Sequence, residues 1–430
     1  MKLPVLFTEL KPQHWDCHGC TNCCRELVVH LTRRDIALID GQNWTGQIAG
    51  PPYVKLGRET VLNHGADGAC VFLSAAGRCR IHEEHGEDAK PLACRLYPFS
   101  LNREGDALRT TIRFDCPSAA ASRGSGLSAH RGEVIRLSGA LDEAERLWFA
   151  ERGGPLLLRE GREMSVAEHK ALVDRLDRWL RDMNRSLGER LTGVAILVET
   201  LSGAKLEKLR AERFIELLDL LLSDLPEALR EAASPPCPTG RQMKLLRMSV
   251  FSHCAYISFE QARMSYFSGL RYRWGQLQRS RRLAVGEGRS PEIIPGAGAP
   301  MLEAVPEVAL DEEAREAAEE LVTRYVRMRI LSGTAFGAGY YGWAVLNGVT
   351  ALLAAVCTAD WIARYLAAGA GRGHCGIDEY RRAVGIVDRT AGRARELGTG
   401  TAALRMRYLG QSGGIRSLLG ASALCGPTAK

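Results

Sequence analysis

The string Cys17-His18-Gly19-Cys20-Thr21-Asn22-Cys23-Cys24 constrains this chain more than any other feature of it. Three cysteines at i, i+3 and i+6, with a fourth adjacent, answer no packing need. Their spacing suits thiolates turned toward a metal, because a tight CxxC loop brings two sulfurs together while its backbone amides screen their charge. Neighbouring Cys23 and Cys24 point in divergent directions, so one of them serves a second centre or another role. Downstream follow Cys70, Cys79 with His82 three residues on, Cys94-Arg95-Leu96-Tyr97-Pro98-Phe99, and Cys116-Pro117. Eight of the 13 cysteines therefore fall in the first 116 residues, where even spreading would put about 3.5.

All eight are candidate metal ligands: Cys17, Cys20, Cys23, Cys24, Cys70, Cys79, Cys94 and Cys116. Eight thiols fit two tetrahedral Zn sites, two clusters, or one cluster with spare thiols. His82 is a weaker candidate, since an imidazole on a surface or in a core is commoner than a ligand. Arg95 can offset thiolate charge by hydrogen bonding or form a plain salt bridge. The remaining cysteines, Cys237, Cys254, Cys357, Cys375 and Cys425, stand singly and read as ordinary buried thiols. Reduced thiols, and an N-terminus without a basic stretch followed by an apolar one, place the protein in the cytoplasm.

Composition narrows the class further. With 46% hydrophobic and 25% charged residues the chain is ordinary globular material, which excludes wholesale disorder and collagen-like architecture. At 430 residues it can bury a full core without disulfides. A net charge of +7 does not by itself demand a polyanionic partner.

The fold class expected is an α+β N-terminal cysteine-cluster domain, residues 1–120, followed by a mainly α-helical domain, residues 121–430, predominantly α overall. In the first part Thr32 and Asp35 form a capping box opening a short helix. YVKLGRETVL alternates at period two, ACVFL and RCRIH joined by SAAG read as a hairpin, and ALRTTIRF reads as a strand. These elements put cysteines on loop tips and strand ends. Beyond Ser125, HRGEVIRLSGALDEAERLWFAERG, SVAEHKALVDRLDRWLRDMNRSL and KLEKLRAERFIELLDLLLSDLPEALREA carry apolar residues at helical spacing. Ser165 with Glu168 caps the second of these. Breaker-rich linkers lie at 234–240 and 286–300, and a last helical block starts near Asp311.

Thirty uncharged residues separate Arg329 from Asp360, long enough to span a bilayer. Gly333, Gly337, Gly339 and Gly342 load the first half, so the segment reads as a glycine-rich connection and then a fully buried helix, with no membrane span. Gly337-x-Gly339-x-x-Gly342 fits the dinucleotide-loop string, and Asp360 stands where a ribose-binding acid would. A helical pattern precedes the glycines, though, and close helix packing explains them better. Residues 261–286 hold six arginines (Arg263, Arg271, Arg273, Arg279, Arg281, Arg282) and no acid. Phe267, Leu270, Trp274 and Leu277 share one stripe there, and the expectation is a helix packed on the body by that stripe with a basic rim, making nucleic acid an unlikely partner.

CHGCTNCC, LTRRDIALI, DGACVFLSAAGRCRIH, KPLACRLYPF and FDCP, in this order over residues 14–118, resemble the zinc- or iron-chelating CxxCxxCC cysteine-cluster domain family, which includes the flagellin lysine N-methylase family. The resemblance carries over all eight cysteines as ligands. It implies Zn or an iron–sulfur cluster, the [4Fe–4S] type first. Its methylase branch implies methyl transfer from S-adenosylmethionine to the lysines of a protein substrate. The CxxxCxxC spacing of radical enzymes is absent. Three functions stay open: an Fe–S protein that modifies another protein, with lysine methylation the suggested case; a non-catalytic Zn- or Fe-binding module whose helical part binds a partner; and an Fe–S protein for electron transfer or metal handling.

Overall fold

The computed structural model describes residues 4–10, 13–56, 59–104, 107–140, 155–232, 236–255, 266–411 and 413–426. Residues 141–154 of the first helical segment, Arg263, and residues 234–235 of the first linker lie outside these. The chain packs as two compact units. The first comprises Met1–Leu101, Gly105–Ala150 and Ile257–Trp274, and the second Asn102–Glu104, Glu151–Tyr256 and Gly275–Lys430. The first is α+β with short strands and the second is mainly helical, so the protein is predominantly α.

In the first unit, β1 (Val5–Leu6) pairs parallel with β6 (Ala107–Ile112), which neighbours β5 (Phe99–Glu104) on its other edge. A second ladder joins β2 (His14–Trp15) to β7 (Ser125–Gly126), and β3 (Tyr53–Leu56) forms a hairpin with β4 (Glu59–Leu62). The short helices are α1 (Asn22–Glu26), α2 (Arg33–Gly41), α3 (Arg80–His85), α4 (Leu92–Leu96), α5 (Pro117–Ala120) and α6 (Arg131–Ser138). The Thr32 hydroxyl accepts from the Asp35 N–H and the Asp35 carboxylate from the Thr32 N–H, which completes the capping box of α2.

One expectation fails here. RCRIH is not a strand: its residues enter α3, where the Arg80 guanidinium pairs with Glu84 one turn on, while Ile81 is buried. Only an isolated bridge, Leu73 to Cys79, remains of the hairpin. The run of polar residues after Ile81 gives a strand no second apolar face, whereas Arg–Glu at i, i+4 favours helix.

The second unit is built from α7 (Val166–Leu180), α8 (Leu187–Gly203), α9 (Glu212–Glu231), α10 (Gly240–Cys254), α11 (Tyr266–Val285, which begins in the first unit), α12 (Glu312–Leu331), α13 (Val345–Gly369), α14 (Ile377–Thr390), α15 (Gly400–Gln411) and α16 (Gly414–Gly420). The core is α13, against which α8, α10, α14, α15 and α16 pack. It is long and apolar enough to cross a membrane, yet 94% of its most apolar window is buried inside the protein. The glycine-rich connection before it lies tight: a side chain at Gly348 would collide with the Ala335 carbonyl.

The α9 segment starts later than its periodicity suggests. Lys205–Ala211 is held as a loop, because the Arg162 guanidinium donates to the Leu209 carbonyl at 2.7 Å and the Ala211 N–H donates to Glu168 at 2.8 Å.

Candidate metal centre

The cysteine motif takes its shape from two left-handed residues, Gly19 (φ +64°) and Thr21 (φ +61°), on either side of Cys20. Cys17 and Cys20 are exposed on this loop, and Cys23 and Cys24 ride on α1 with their sulfurs 4.0 Å apart. The motif is tied to the Cys116 segment. Asp16 accepts from the Ser125 N–H at 2.8 Å through its carboxylate and from the Ser118 hydroxyl at 2.7 Å through its carbonyl. The Asn22 amide reaches the Asp115 carbonyl at 3.4 Å. Gly124 (φ +113°) lies so close to Asp16 that any side chain there would clash with it.

Three further thiols are drawn onto one apolar cluster. The Cys70 N–H donates to the Cys24 carbonyl at 2.8 Å. Cys79 pairs with Leu73 and immediately precedes α3. Cys94 lies in α4, whose Leu92 N–H donates at 3.0 Å to Asp35, the same carboxylate that caps α2. Cys70, Cys79 and Cys94 all pack against one apolar cluster of Leu31, Ile39, Trp44, Leu62, Phe72 and Ile81. The cysteines are thus carried in and beside short helices as much as on loop tips.

Electrostatic influence connects several of these thiols. Burial pushes the Cys94 thiol well above its ordinary value, and Cys70, Cys79 and Cys23 add to the shift. Cys70 is pushed up to about 12 by burial, with Cys79 and Cys23 contributing. Cys23 is raised by its hydrogen bond with Cys24 and by burial. Cys116 is raised by burial and senses Cys20 instead. Cys23, Cys70 and Cys79 therefore each lie within electrostatic range of Cys94, and Cys20 within range of Cys116. Among the described residues no three His, Cys, Asp or Glu side chains stand close enough to enclose a single bare ion.

The donor set nevertheless suits a thiophilic metal: soft sulfur converging from separate stretches, backed by a dry apolar cluster. A metal bound in place of thiol protons would stabilise the thiolate form that burial and neighbouring thiolates disfavour here. Lys90, which sequence reading missed, supplies a cation beside them. Burial alone lowers its pKa, but the charges of Cys94, Glu87 and Cys79 raise it overall. Nothing in its spacing marks it; only its place just ahead of Pro91 and α4 hints at proximity to Cys94.

The other candidates fall away from the thiols. His82 is exposed on α3. Arg95 pairs with Asp88 at 2.6 Å, the plain salt bridge of the two readings. Of the five scattered cysteines, Cys357 and Cys375 are buried and Cys254 and Cys425 partly so, but Cys237 is exposed. It lies within the breaker-rich 234–240 linker, flanked by Pro236 and Pro238, and has no packed element to enter.

No nucleotide loop forms at the glycines. Gly337 and Gly342 lie in a turn between two helices, closed by the Gly337–Trp343 bridge. Asp360 is fully buried, paired with Arg364 at 2.6 Å and accepting from the Tyr380 hydroxyl at 2.6 Å, so it has no free edge for a ribose. A cleft of about 240 Å³ in the second unit is polar, with Arg159, Glu160, Asn347 and Arg407 among its lining, and falls below the roughly 300–1,000 Å³ of ordinary small-molecule pockets.

Residues 16–116 match the CxxCxxCC family, described as "Putative zinc- or iron-chelating domain". The match covers about a quarter of the chain and ends on Cys116. No curated protein and no solved structure matches the chain. The similarity to the CxxCxxCC family lies in the stretch that carries the eight clustered cysteines.

Proposed function

We propose that the first unit holds an iron–sulfur cluster of the [4Fe–4S] type, with Cys23, Cys70, Cys79 and Cys94 as its ligands. Cys17, Cys20, Cys24 and Cys116 are left over from this set, Cys24 with its sulfur 4.0 Å from that of Cys23. The observation that carries this reading is the convergence of Cys70, Cys79 and Cys94 on one apolar cluster, with Cys23 within range of Cys70 and Cys94. The set contains sulfur alone, with His82 turned to solvent, and all-thiolate ligation is what such clusters take.

A bound cluster supplies one-electron chemistry. The chain's own residues do the rest. Cys70, Cys79 and Cys94 are positioned by the ladder to Cys24, the Leu73 bridge and the Asp35 carboxylate. Lys90 places a positive charge and N–H donors beside the sulfurs, and the Trp44–Phe72 cluster keeps water from their far side.

Protein isolated without oxygen is expected to be brown, to absorb near ~400 nm, and to contain iron and acid-labile sulfide. Colourless protein with stoichiometric zinc overturns the cluster and favours a zinc module. Cys254→Ser is expected to leave metal content unchanged, since Cys254 lies in α10 of the other unit. A loss of metal there, measured by elemental analysis, sinks the division of the cysteines.

A further inference from the structure

Helix α11 is turned inside out relative to its sequence pattern. The apolar stripe expected to pack on the body faces solvent: Leu270 is 46% exposed, Trp274 62%, Leu277 43% and Val285 64%. The half-buried side carries Tyr272, Gly275, Gln276 and Ser280 instead. The helix is anchored at its C-terminal end, where Leu283 and Ala284 are buried and Arg247 donates to the Ala284 and Val285 carbonyls. Holding the last turn this way fixes the rotation of the helix, and at 3.6 residues per turn positions 270, 274, 277, 281 and 285 fall on one outward face.

Arginines surround that face. Arg271 and Arg282 lie along one side and Arg273 along the other, and Arg281 continues the stripe; all four are exposed, whereas Arg279 falls on the opposite side of the helix. No acidic residue occurs in Tyr266–Val285.

We propose that α11 is an interfacial helix that docks the protein onto an anionic lipid surface, lying in the plane of the membrane without crossing it. Two features choose this occupant. The charge is of one sign and flanks the apolar stripe, so the guanidiniums reach phosphate headgroups while the stripe enters the acyl boundary. The stripe is mainly aliphatic with one central tryptophan, the pattern of an interface-seeking helix. A single-stranded nucleic acid would instead stack on aromatic rings, and Leu270, Leu277 and Val285 offer none.

The test uses the full-length protein and sedimentation with vesicles of phosphatidylglycerol and phosphatidylcholine, or of phosphatidylcholine alone. Binding is expected to the anionic vesicles and not to the zwitterionic ones. The triple change Leu270→Ser, Trp274→Ser and Leu277→Ser is expected to weaken it by tenfold or more, with an unchanged circular dichroism spectrum because these side chains are exposed. Changing Arg271, Arg281 and Arg282 to Gln is expected to weaken it about a hundredfold. Three results overturn the proposal: no binding to anionic vesicles at low salt; binding that the serine variant retains in full; or tighter binding to a single-stranded oligonucleotide or an acidic polypeptide, lost on the same substitutions.

Discussion

Cys94→Ser is expected to lower the iron content of anaerobically isolated protein by more than half and to destabilise the first unit by several kcal/mol. The side chain changes little in volume, so packing on the Leu31–Phe72 cluster is disturbed only slightly. What changes is the donor. A serine oxygen is a hard, weakly acidic ligand where a soft thiolate is needed. Cys94 is the right probe because it is held from two directions, by α4 itself and by the Asp35 carboxylate that fixes the helix start. The destabilisation and the metal loss should be one event. Stripping metal from the parent with a chelator is therefore expected to lower its melting temperature by about as much as the substitution does, and the two together by little more than either. If Cys94→Ser retains full iron, Cys94 is not a ligand. If it loses iron while the apo-protein melts as the parent's apo form does, the metal reading stands and packing is cleared as the cause.

Much of the first unit could be read from residues, and the limits of that reading are physical. The capping boxes at Thr32–Asp35 and Ser165–Glu168 were legible because both partners lie within four residues. The extended character of residues 53–62 was legible from alternation, but not that the segment folds back on itself as β3 and β4. RCRIH misled because a five-residue window beside a turn cannot distinguish a strand from one turn of helix; the deciding partner, Glu84, lies beyond it. The partition of the thiols was invisible for another reason. Spacing groups Cys17, Cys20, Cys23 and Cys24 together, whereas in the fold Cys23 also comes within electrostatic range of Cys70 and Cys94, and Cys20 within range of Cys116. That division depends on backbone pairing across tens of residues, the Cys70–Cys24 hydrogen bond above all. Helix α11 shows the same limit. Its periodicity established a stripe, but which side met the protein was decided by Arg247, a residue of another helix.

Glu168→Ala is expected to cost the second unit about 3–5 kcal/mol, because it strands the Arg162 guanidinium in the interior. Both side chains are 1% exposed and paired two-fold, at 2.8 and 2.9 Å. The carboxylate also accepts from the Ser165 N–H, closing the α7 cap, and from the Ala211 N–H just before α9. One carboxylate thus fixes the start of two helices, and its loss frees four donors at once. Chemical denaturation followed by circular dichroism measures the effect.

The same group predicts an acid dependence. The hydrogen bonds from Arg162 hold the Glu168 carboxyl down at about 2, against an ordinary value of 4.5. A depressed carboxylate contributes its full stability above the unfolded value and loses it as pH falls toward the folded one. The contribution, about 3 kcal/mol, is therefore complete at neutral pH and should disappear progressively between pH 4.5 and 2. Glu168→Gln keeps one acceptor but cannot titrate, so its stability should start lower at pH 7 and vary less across that window. If parent and Gln variant lose stability in parallel from pH 4.5 to 2, the Arg162–Glu168 pair is not what ties the second unit's stability to acid, and the clamp assigned to it does not operate.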